Sequence, residues 1–334
     1  MTENNWDLIE NNELSKNAAG GTELMLRRIY DGFIPRETLS KFQIIPSRVR
    51  DLKEDKYRIY IINDLPGDPE VSQALQDDAW RRFHKIVFVS HWQAQRFIEM
   101  YGIDWSRCIV MQNAILPITP QKNDDGKIRL IYHTTPHRGL NILLTIYDEL
   151  VKRHPEVHLD VYSSFKLYGW EVRDEQFKDL FDFCNEHEKI TYHGAISNDL
   201  VRDAIAKADI FAYPSTWQET SCLCLMEAMS AGLICVHPDF AALPETAANW
   251  TAMYRWHENP EEHAKLFLGM LDMSIQELKA NNENIVSRVT SQKAYADVFY
   301  NWNIRKVQWK GLLDQMIVNE TPLEFEPEQF VYRA

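Results

Sequence analysis

Short apolar runs alternate with longer amphipathic segments along most of the chain, which indicates β-strands separated by α-helices. Runs such as YRIYIIND and KIVFVS are rich in β-branched and aromatic residues. This alternation is typical of βα units around parallel sheets. Strands are predicted within residues 42–49, 57–64, 85–90, 108–113, 127–135, 157–164, 190–195, 209–215 and 233–239. Helices are predicted at 22–33, 91–101, 138–153, 174–186, 198–207 and 222–231.

The chain of 334 residues fits two domains of ordinary size. The segment PITPQKNDDGK, residues 117–127, has the proline, asparagine, aspartate and glycine content of a linker. The alternation restarts after it, whereas only helical patterns remain from residue 260 onward. The predicted fold class is therefore α/β, with two doubly wound sheets. Ligands are expected at the carboxyl ends of the strands, in a cleft between the domains.

Composition favours a globular protein of the cytoplasm, with 45% hydrophobic and 25% charged residues. No apolar run approaches the roughly 18 residues of a membrane span, and the polar, acidic N-terminus resembles neither a signal nor a transit peptide. The five cysteines lack C-x-x-C spacing, which favours reduced thiols over disulfides or a zinc site. A net charge of −13 disfavours nonspecific attraction to nucleic acid or anionic lipid.

Two glycine-containing turns lie where a ligand is expected. Gly20 and Gly21 precede a helical pattern, where backbone amides can approach an anion, although a glycine pair before a helix is more often a plain turn. In IYHTTPHRGLNILL, Arg138 and Gly139 follow a strand, so the guanidinium can reach a diphosphate or can simply be solvated. A metal pair of His133 and His137 is disfavoured because a proline between them breaks the helical register.

The third stretch, STWQETSCLCLMEAMSAG, has glutamates eight positions apart. Glu219 is expected in a loop with no core to disturb, and Glu227 about two turns into the following helix, roughly 10 Å further on. Carboxylates at this separation can bind hydroxyls at the two ends of a nucleotide diphosphate sugar. Backbone amides near the helix start can hold its phosphates, at Thr220, Ser221 and Cys222. Alternatively, Glu227 is an ordinary exposed helix residue.

Taken together, these stretches resemble motifs of the retaining GT-B glycosyltransferases of glycosyltransferase family 4. ETSCLCLMEAMSAG is similar to the family's E-x7-E motif, and HTTPHRGLNILL to its donor-phosphate turn. The resemblance covers roughly residues 20–245 and implies two Rossmann-like domains facing across a cleft. It places the acceptor-side domain at residues 1–118 and the nucleotide-sugar domain at 119–299, with a C-terminal helix at about 300–334 crossing back to complete the first.

The same resemblance implies roles for individual residues. Glu219 would contact the donor sugar, Glu227 the ribose, and Arg138 with the Gly20 and Gly21 amides the diphosphate. His133 stands where the family has a basic residue, so that phosphate ligand is expected to be weakened or dependent on pH. Near the sugar, Asn63 and Asp64 replace the usual His-Asp pair. The implied catalytic set is Glu219, Arg138, Asn63 and Asp64.

The implied reaction is retaining transfer from a UDP- or GDP-linked sugar to a hydroxyl acceptor, with no cofactor and no metal, in keeping with the lack of a D-x-D triplet. One alternative is a nucleotide-sugar-binding protein that has lost catalysis, as Asn63 suggests. Another changes the acceptor to a hydroxylated base in DNA, using Arg27–Arg28, Arg48–Arg50 and Arg81–Arg82. A glycoside hydrolase is the least favoured, because Glu227 is expected to point along the donor.

Overall fold

The chain folds into two compact units in this computed structural model, which describes residues 4–9, 20–121, 125–281 and 283–319. The first unit contains Gly21–Asn113 and the helix that begins at Trp302. The second contains Ala114–Asn301, and Gly20 is grouped with it. Each unit is built on one parallel sheet.

The strands of the described residues are β1 (Phe42–Pro46), β2 (Tyr57–Ile62), β3 (Lys85–Phe88), β4 (Cys108–Val110), β5 (Ile128–Tyr132), β6 (Val157–Val161), β7 (Ile190–Tyr192), β8 (Ile210–Ala212), β9 (Ile234–Pro238) and β10 (Ala252–Tyr254). The helices are α1 (Gly21–Ile29), α2 (Arg36–Leu39), α3 (Pro69–Leu75), α4 (His91–Tyr101), α5 (Leu140–Arg153), α6 (Lys178–Glu186), α7 (Asn198–Ile205), α8 (Leu223–Ser230), α9 (Leu243–Ala247), α10 (Pro260–Lys279), α11 (Glu283–Phe299) and α12 (Trp302–Asn319). The predicted α/β fold with two parallel sheets is confirmed, and β10 is a strand that the sequence did not predict.

The first unit has a four-stranded sheet in the order β1-β2-β3-β4. Strands β1, β2 and β3 are almost wholly buried, as expected of a parallel sheet with both faces covered, whereas the edge strand β4 is half-buried. Helix α4 shows how local sequence sets the boundaries. Ser90 caps its start by accepting a hydrogen bond from the Gln93 amide, and Gly102 ends it in the left-handed region at φ 64°.

The second unit has a six-stranded sheet in the order β10-β9-β8-β5-β6-β7. The chain moves outward from β5 through β6 to β7, and then returns to the other side of β5 to build β8, β9 and β10. The strand order therefore reverses between β5 and β8. In open α/β sheets such a switch point leaves a crevice at the carboxyl ends of the strands, where ligands bind.

Within the part of the chain that the structure describes, no helix has the length and apolar character needed to cross a membrane.

Candidate functional site

Two chain segments lie where the strand order of the second sheet reverses, between β5 and β8. Together they form what we call the switch-point site. One is the turn His133–Gly139 that follows β5, and the other is the loop Tyr213–Cys222 that follows β8. The two strands are paired directly, with Leu130 opposite Ile210. Their carboxyl ends, and hence the two segments, lie side by side.

Gly139 allows the two segments to touch. Its φ is +111°, which L side chains rarely adopt, and a Cβ at this position would lie 2.0 Å from the carbonyl oxygen of Pro214. Only glycine satisfies both constraints. The residue therefore fixes the position of the preceding Arg138 relative to the loop that carries Glu219.

Arg138 and Glu219 form an ion pair across the switch point, in which the Arg138 guanidinium donates to Oε1 of Glu219. The hydroxyl of Tyr213 donates to the same oxygen. The Glu219 side chain is 5% exposed and that of Arg138 is 22% exposed. The loop position predicted for Glu219 is confirmed, but the expectation that it has no core to disturb is wrong, because its carboxylate is buried among polar partners.

Burial and the Glu219 charge determine the protonation states of Tyr213 and Arg138. Burial raises the pKa of Tyr213 well above its usual value, and the Glu219 carboxylate adds to that rise. For Arg138, burial alone would lower the pKa, but the charge of Glu219, its hydrogen bond and the nearby tyrosines together outweigh burial, so the pKa lies well above its ordinary value. Arg138 is thus a permanent cation and Tyr213 a permanent hydrogen-bond donor.

His133 does not act as a second cation at this site. Its side chain is buried against the ring of Phe211, with ring centroids 4.9 Å apart. Burial lowers its pKa to about 3, despite an opposing contribution from the backbone of Cys224. The ring is therefore uncharged in the neutral range, which agrees with the expectation of a weakened phosphate ligand but not with that of a pH-dependent one. A contact between His133 and the donor stays a prediction.

His137 is neutral for a similar reason. Its ring stacks on Phe165 and meets Trp217 edge to face, with centroids 5.2 Å and 4.9 Å away. Burial lowers its pKa to about 4, and the charge of Arg138 lowers it further. Of the turn's basic side chains, Arg138 therefore supplies the positive charge. No group of three or more metal-ligating side chains is found in the described part of the chain.

Several buried polar atoms at this edge of the sheet lack a hydrogen-bond partner among the described residues. They follow β5, β6 and β8, and they are Thr135 Oγ1, Arg138 Nε, Ser163 Oγ and Ser221 Oγ. Buried polar atoms are almost always paired with protein, water or ligand. All of them except Ser163 Oγ lie in the two segments of the switch-point site, where they can hydrogen-bond to water or to a polar ligand.

Helix α8 begins at Leu223, one position after the predicted start, and Cys222 precedes it without a side-chain cap. Thr220 and Ser221 lie in the loop just before it, and the amides of a helix's first turn have no partner within the helix. Glu227 is about one turn into α8, not two, so it lies only about 6 Å past the helix start. Its side chain is 11% exposed rather than open to water.

The remaining predicted site residues belong to other parts of the fold. Gly21 is the first residue of α1, as expected for a turn that opens a helix. Asn63 and Asp64 follow β2 in the first unit. An Asp64 oxygen lies 3.3 Å from a nitrogen of Arg48. Burial raises the pKa of Asp64, although Arg48 opposes this effect.

Three of the arginines considered for DNA binding are engaged within the protein. Arg48 and Arg50 pair with the carboxylates of Asp68 and Glu70, at 3.2 Å and 2.7 Å respectively. Arg82 is 1% exposed and donates to backbone carbonyls. These three side chains do not form a free basic surface.

Sequence reasoning missed two residues that contact the predicted glutamates. Tyr213, which binds Glu219, ends the apolar run DIFAY, where an aromatic residue indicated only core packing. Arg202 donates to Glu227 Oε1 at 2.7 Å from helix α7. Its local sequence, NDLVRDAI, is that of an ordinary amphipathic helix, so only the packing of α7 beside α8 brings the two side chains together.

The sequence model of a family described as glycosyl transferases group 1 matches residues 113–285, more than half of the chain. No curated protein matches the sequence. Among solved structures, a glycosyltransferase from Rickettsia africae superimposes with a TM-score of 0.64 at 14% identity, covering 83% of this chain and 78% of that one. These values show a shared fold.

Two further structures of this fold contain ligands. Anabaena HepE, in complex with UDP-glucose, has a TM-score of 0.59 and 15% identity, over 78% of this chain and 72% of that one. The pneumococcal O-GlcNAc transferase GtfA, in complex with UDP and GlcNAc, has a TM-score of 0.59 and 11% identity. It is matched over 79% of this chain, which spans only 53% of its length.

Proposed function

The chain belongs to the glycosyl transferases of group 1, and from that premise we propose that it moves a sugar from a nucleotide diphosphate sugar to a hydroxyl acceptor. The proposed transfer retains the anomeric configuration and requires neither a metal ion nor a cofactor. One observation carries the proposal: the buried ion pair of Arg138 and Glu219 at the β5/β8 switch point. The ion pair places a cation beside a carboxylate that can accept hydrogen bonds from hydroxyl groups, at the position where a ligand is expected.

Arg138 is the proposed ligand of the diphosphate. A guanidinium presents donors in a rigid fork that matches phosphate oxygens, and its charge persists at every physiological pH. A buried charge needs a partner, which Glu219 supplies in the free protein. When a diphosphate binds, its oxygens share that role with Glu219. Backbone amides at the start of α8, near Thr220, Ser221 and Cys222, favour the same anion.

Glu219 is the proposed ligand of the sugar. A carboxylate has about four lone-pair sites, and the described contacts of Arg138 and Tyr213 both use Oε1. Those two donors hold the carboxylate in one orientation. The remaining acceptor capacity suits the hydroxyl groups of a hexose, which can donate hydrogen bonds to a carboxylate.

The other predicted contacts complete the proposed donor site. Glu227 would accept hydrogen bonds from the ribose. Gly139 keeps the turn close to the loop, and His133 contributes as a neutral group rather than as a cation. The diphosphate role of the Gly20 and Gly21 amides and the sugar role of Asn63 and Asp64, which the resemblance implies, stay predictions.

The proposed mechanism is electrostatic. As the bond between the sugar and the diphosphate breaks, negative charge grows on the leaving oxygen, and Arg138 with the α8 amides stabilises it. The acceptor oxygen forms the new bond on the same face of the sugar. Its proton passes to the leaving diphosphate oxygen, so that no separate base is needed.

The test is donor turnover. Purified protein is incubated with UDP-glucose, UDP-GlcNAc and the corresponding GDP-sugars, and the release of nucleoside diphosphate is followed with and without EDTA. We expect slow release from at least one donor, unchanged by EDTA and lost in Glu219→Gln. Release that requires a divalent metal would contradict the metal-independent proposal. With an acceptor identified, NMR of the product must show the donor's anomeric configuration.

The alternative of a nucleotide-sugar-binding protein with impaired catalysis rests on Asn63, which stands where the family pattern has histidine. It predicts that a nucleotide sugar binds without any hydrolysis. The same incubations therefore separate the two proposals when they are accompanied by a binding measurement.

A further inference from the structure

We propose that Arg202 is a positioning residue that orients the Glu227 carboxylate for the ribose of the donor. This inference rests on the proposed function, because it assumes that Glu227 binds a ribose. Arg202 is on α7, whereas Glu227 is on α8, and Nη1 of Arg202 donates to Oε1 of Glu227 at 2.7 Å. The two side chains are only 17% and 11% exposed, which distinguishes them from a flexible surface pair.

The Arg202 guanidinium is anchored independently of the carboxylate. Its Nη2 atom donates to the carbonyl oxygens of Leu116 and Pro117, at 2.8 Å and 3.2 Å. Backbone carbonyl groups have fixed positions, so these two hydrogen bonds restrict the rotation of the Arg202 guanidinium. The other nitrogen then holds Glu227 Oε1 at one point in space.

The anchoring segment is itself held at both backbone polar groups of the next residue, Ile118. The amide of Ile118 donates to Ser230 Oγ at 2.9 Å, and Lys293 donates to the Ile118 carbonyl at 2.8 Å. Ser230 lies on α8 and Lys293 on α11. The carbonyls that hold Arg202 thus belong to a backbone segment fixed to the same helix that carries Glu227.

This arrangement has a chemical consequence for ligand binding. A glutamate on a helix normally samples several rotamers, and fixing one of them before binding removes part of the entropic cost of association. A guanidinium donates and cannot accept, so it leaves Glu227 an acceptor for the hydroxyls of a ribose. Arg202 therefore favours a nucleotide with ribose hydroxyls over one without them.

The experiment compares nucleotides that differ only in those hydroxyls. Dissociation constants for UDP and 2′,3′-dideoxy-UDP, and for GDP and 2′,3′-dideoxy-GDP, are measured by calorimetry on the wild type, Arg202→Gln and Arg202→Lys. We expect the wild type to bind the ribonucleotide more tightly than the dideoxynucleotide. In Arg202→Gln the ratio of the two dissociation constants should fall about tenfold, which corresponds to one hydrogen bond to a charged group. Affinity for the dideoxy nucleotide should change little. Arg202→Lys keeps the charge and should recover part of the preference.

Two further variants separate positioning from a general structural effect. Arg153→Gln removes an exposed α5 arginine that pairs with Glu149, and it should leave the ribose preference unchanged. Glu227→Gln should lose the preference, and the double variant with Arg202→Gln should lose no more than Glu227→Gln alone, because Arg202 acts through Glu227.

Different outcomes overturn different statements. If the wild type binds none of the four nucleotides, the proposed function fails. If the wild type prefers the ribonucleotide and folded Arg202→Gln and Arg202→Lys keep the full preference, only the role of Arg202 is wrong. The role of Arg202 is also wrong if Arg202→Gln lowers the affinity for the ribonucleotide and the dideoxynucleotide equally, because a purely structural ion pair would have that effect.

Discussion

Gly139 and Pro214 are in direct backbone contact, so that a Cβ on residue 139 would lie 2.0 Å from the Pro214 carbonyl oxygen. The contact joins the turn after β5 to the loop after β8. Arg138 and Glu219, which form the buried ion pair, are attached to these two segments. The chemistry of the switch point therefore depends on a steric condition that only glycine meets.

Gly139→Ala should destabilise the protein and displace Arg138. The clash involves backbone on both sides, and φ of +111° adds strain, so we expect a loss of about 1–3 kcal/mol in the free energy of unfolding. Urea denaturation measures this loss. Gly269→Ala is the matched control, because its added Cβ on α10 meets nothing within 4 Å and should stabilise by about 0.5–1 kcal/mol. Equal stabilities of the two variants would show that the contact is unimportant.

Glu219→Ala should lower stability as well as abolish transfer. The substitution leaves the Arg138 guanidinium and the Tyr213 hydroxyl without their acceptor, which costs roughly 1–3 kcal/mol. Because Arg138 is 22% exposed, water screens part of the loss. Glu219→Gln keeps an oxygen for both donors and should be more stable than the alanine variant while transferring no sugar.

Urea denaturation and a transfer assay test both statements about Glu219. Glu149→Ala, at an exposed pair with Arg153, is the control and should change stability little. Full transfer by folded Glu219→Gln would remove Glu219 from the proposed sugar site.

Acid should destabilise the protein through its buried histidines. Burial lowers the pKa of His133 to about 3 and those of His137 and His237 to about 4. The unfolded chain takes up these protons near pH 6.5, whereas the folded protein does not. The stability that they contribute is therefore complete above pH 6.5 and is lost as the pH falls toward 4.

His133→Phe isolates one of these groups. Between about pH 6 and pH 4 its stability should fall less steeply than that of the wild type, by roughly 1.4 kcal/mol per pH unit, because one titrating group is gone. Denaturant midpoints measured across this range give the slope. An unchanged slope would mean that His133 is protonated in the folded protein, contrary to its burial against Phe211.

Much of the fold follows from patterns that are local in sequence. The apolar runs at residues 57–64 and 127–135 predicted β2 and β5, because buried strands need continuous apolar side chains. Strand β10, Ala252–Tyr254, escaped prediction because a three-residue strand in a mixed segment has too few positions to show a period. Its partner β9 defines it through pairing, which is a nonlocal property.

The candidate site was predicted only in part for the same reason. Spacing in the sequence singled out Arg138, Glu219 and Glu227. It did not show that Glu219 is buried or that His133 is neutral, because both depend on what packs against them. Arg202 was missed since its contact with Glu227 joins residues on different helices.

The most direct test of the proposed function is a crystal structure of the complex with UDP or with an intact UDP-sugar. We predict that the diphosphate contacts Arg138 and the N-terminus of α8, that the ribose hydroxyls donate hydrogen bonds to Glu227, and that the sugar lies beside Glu219. A nucleotide bound at any other place, with the Arg138–Glu219 ion pair unchanged, would contradict the assignment of the switch point as the donor site.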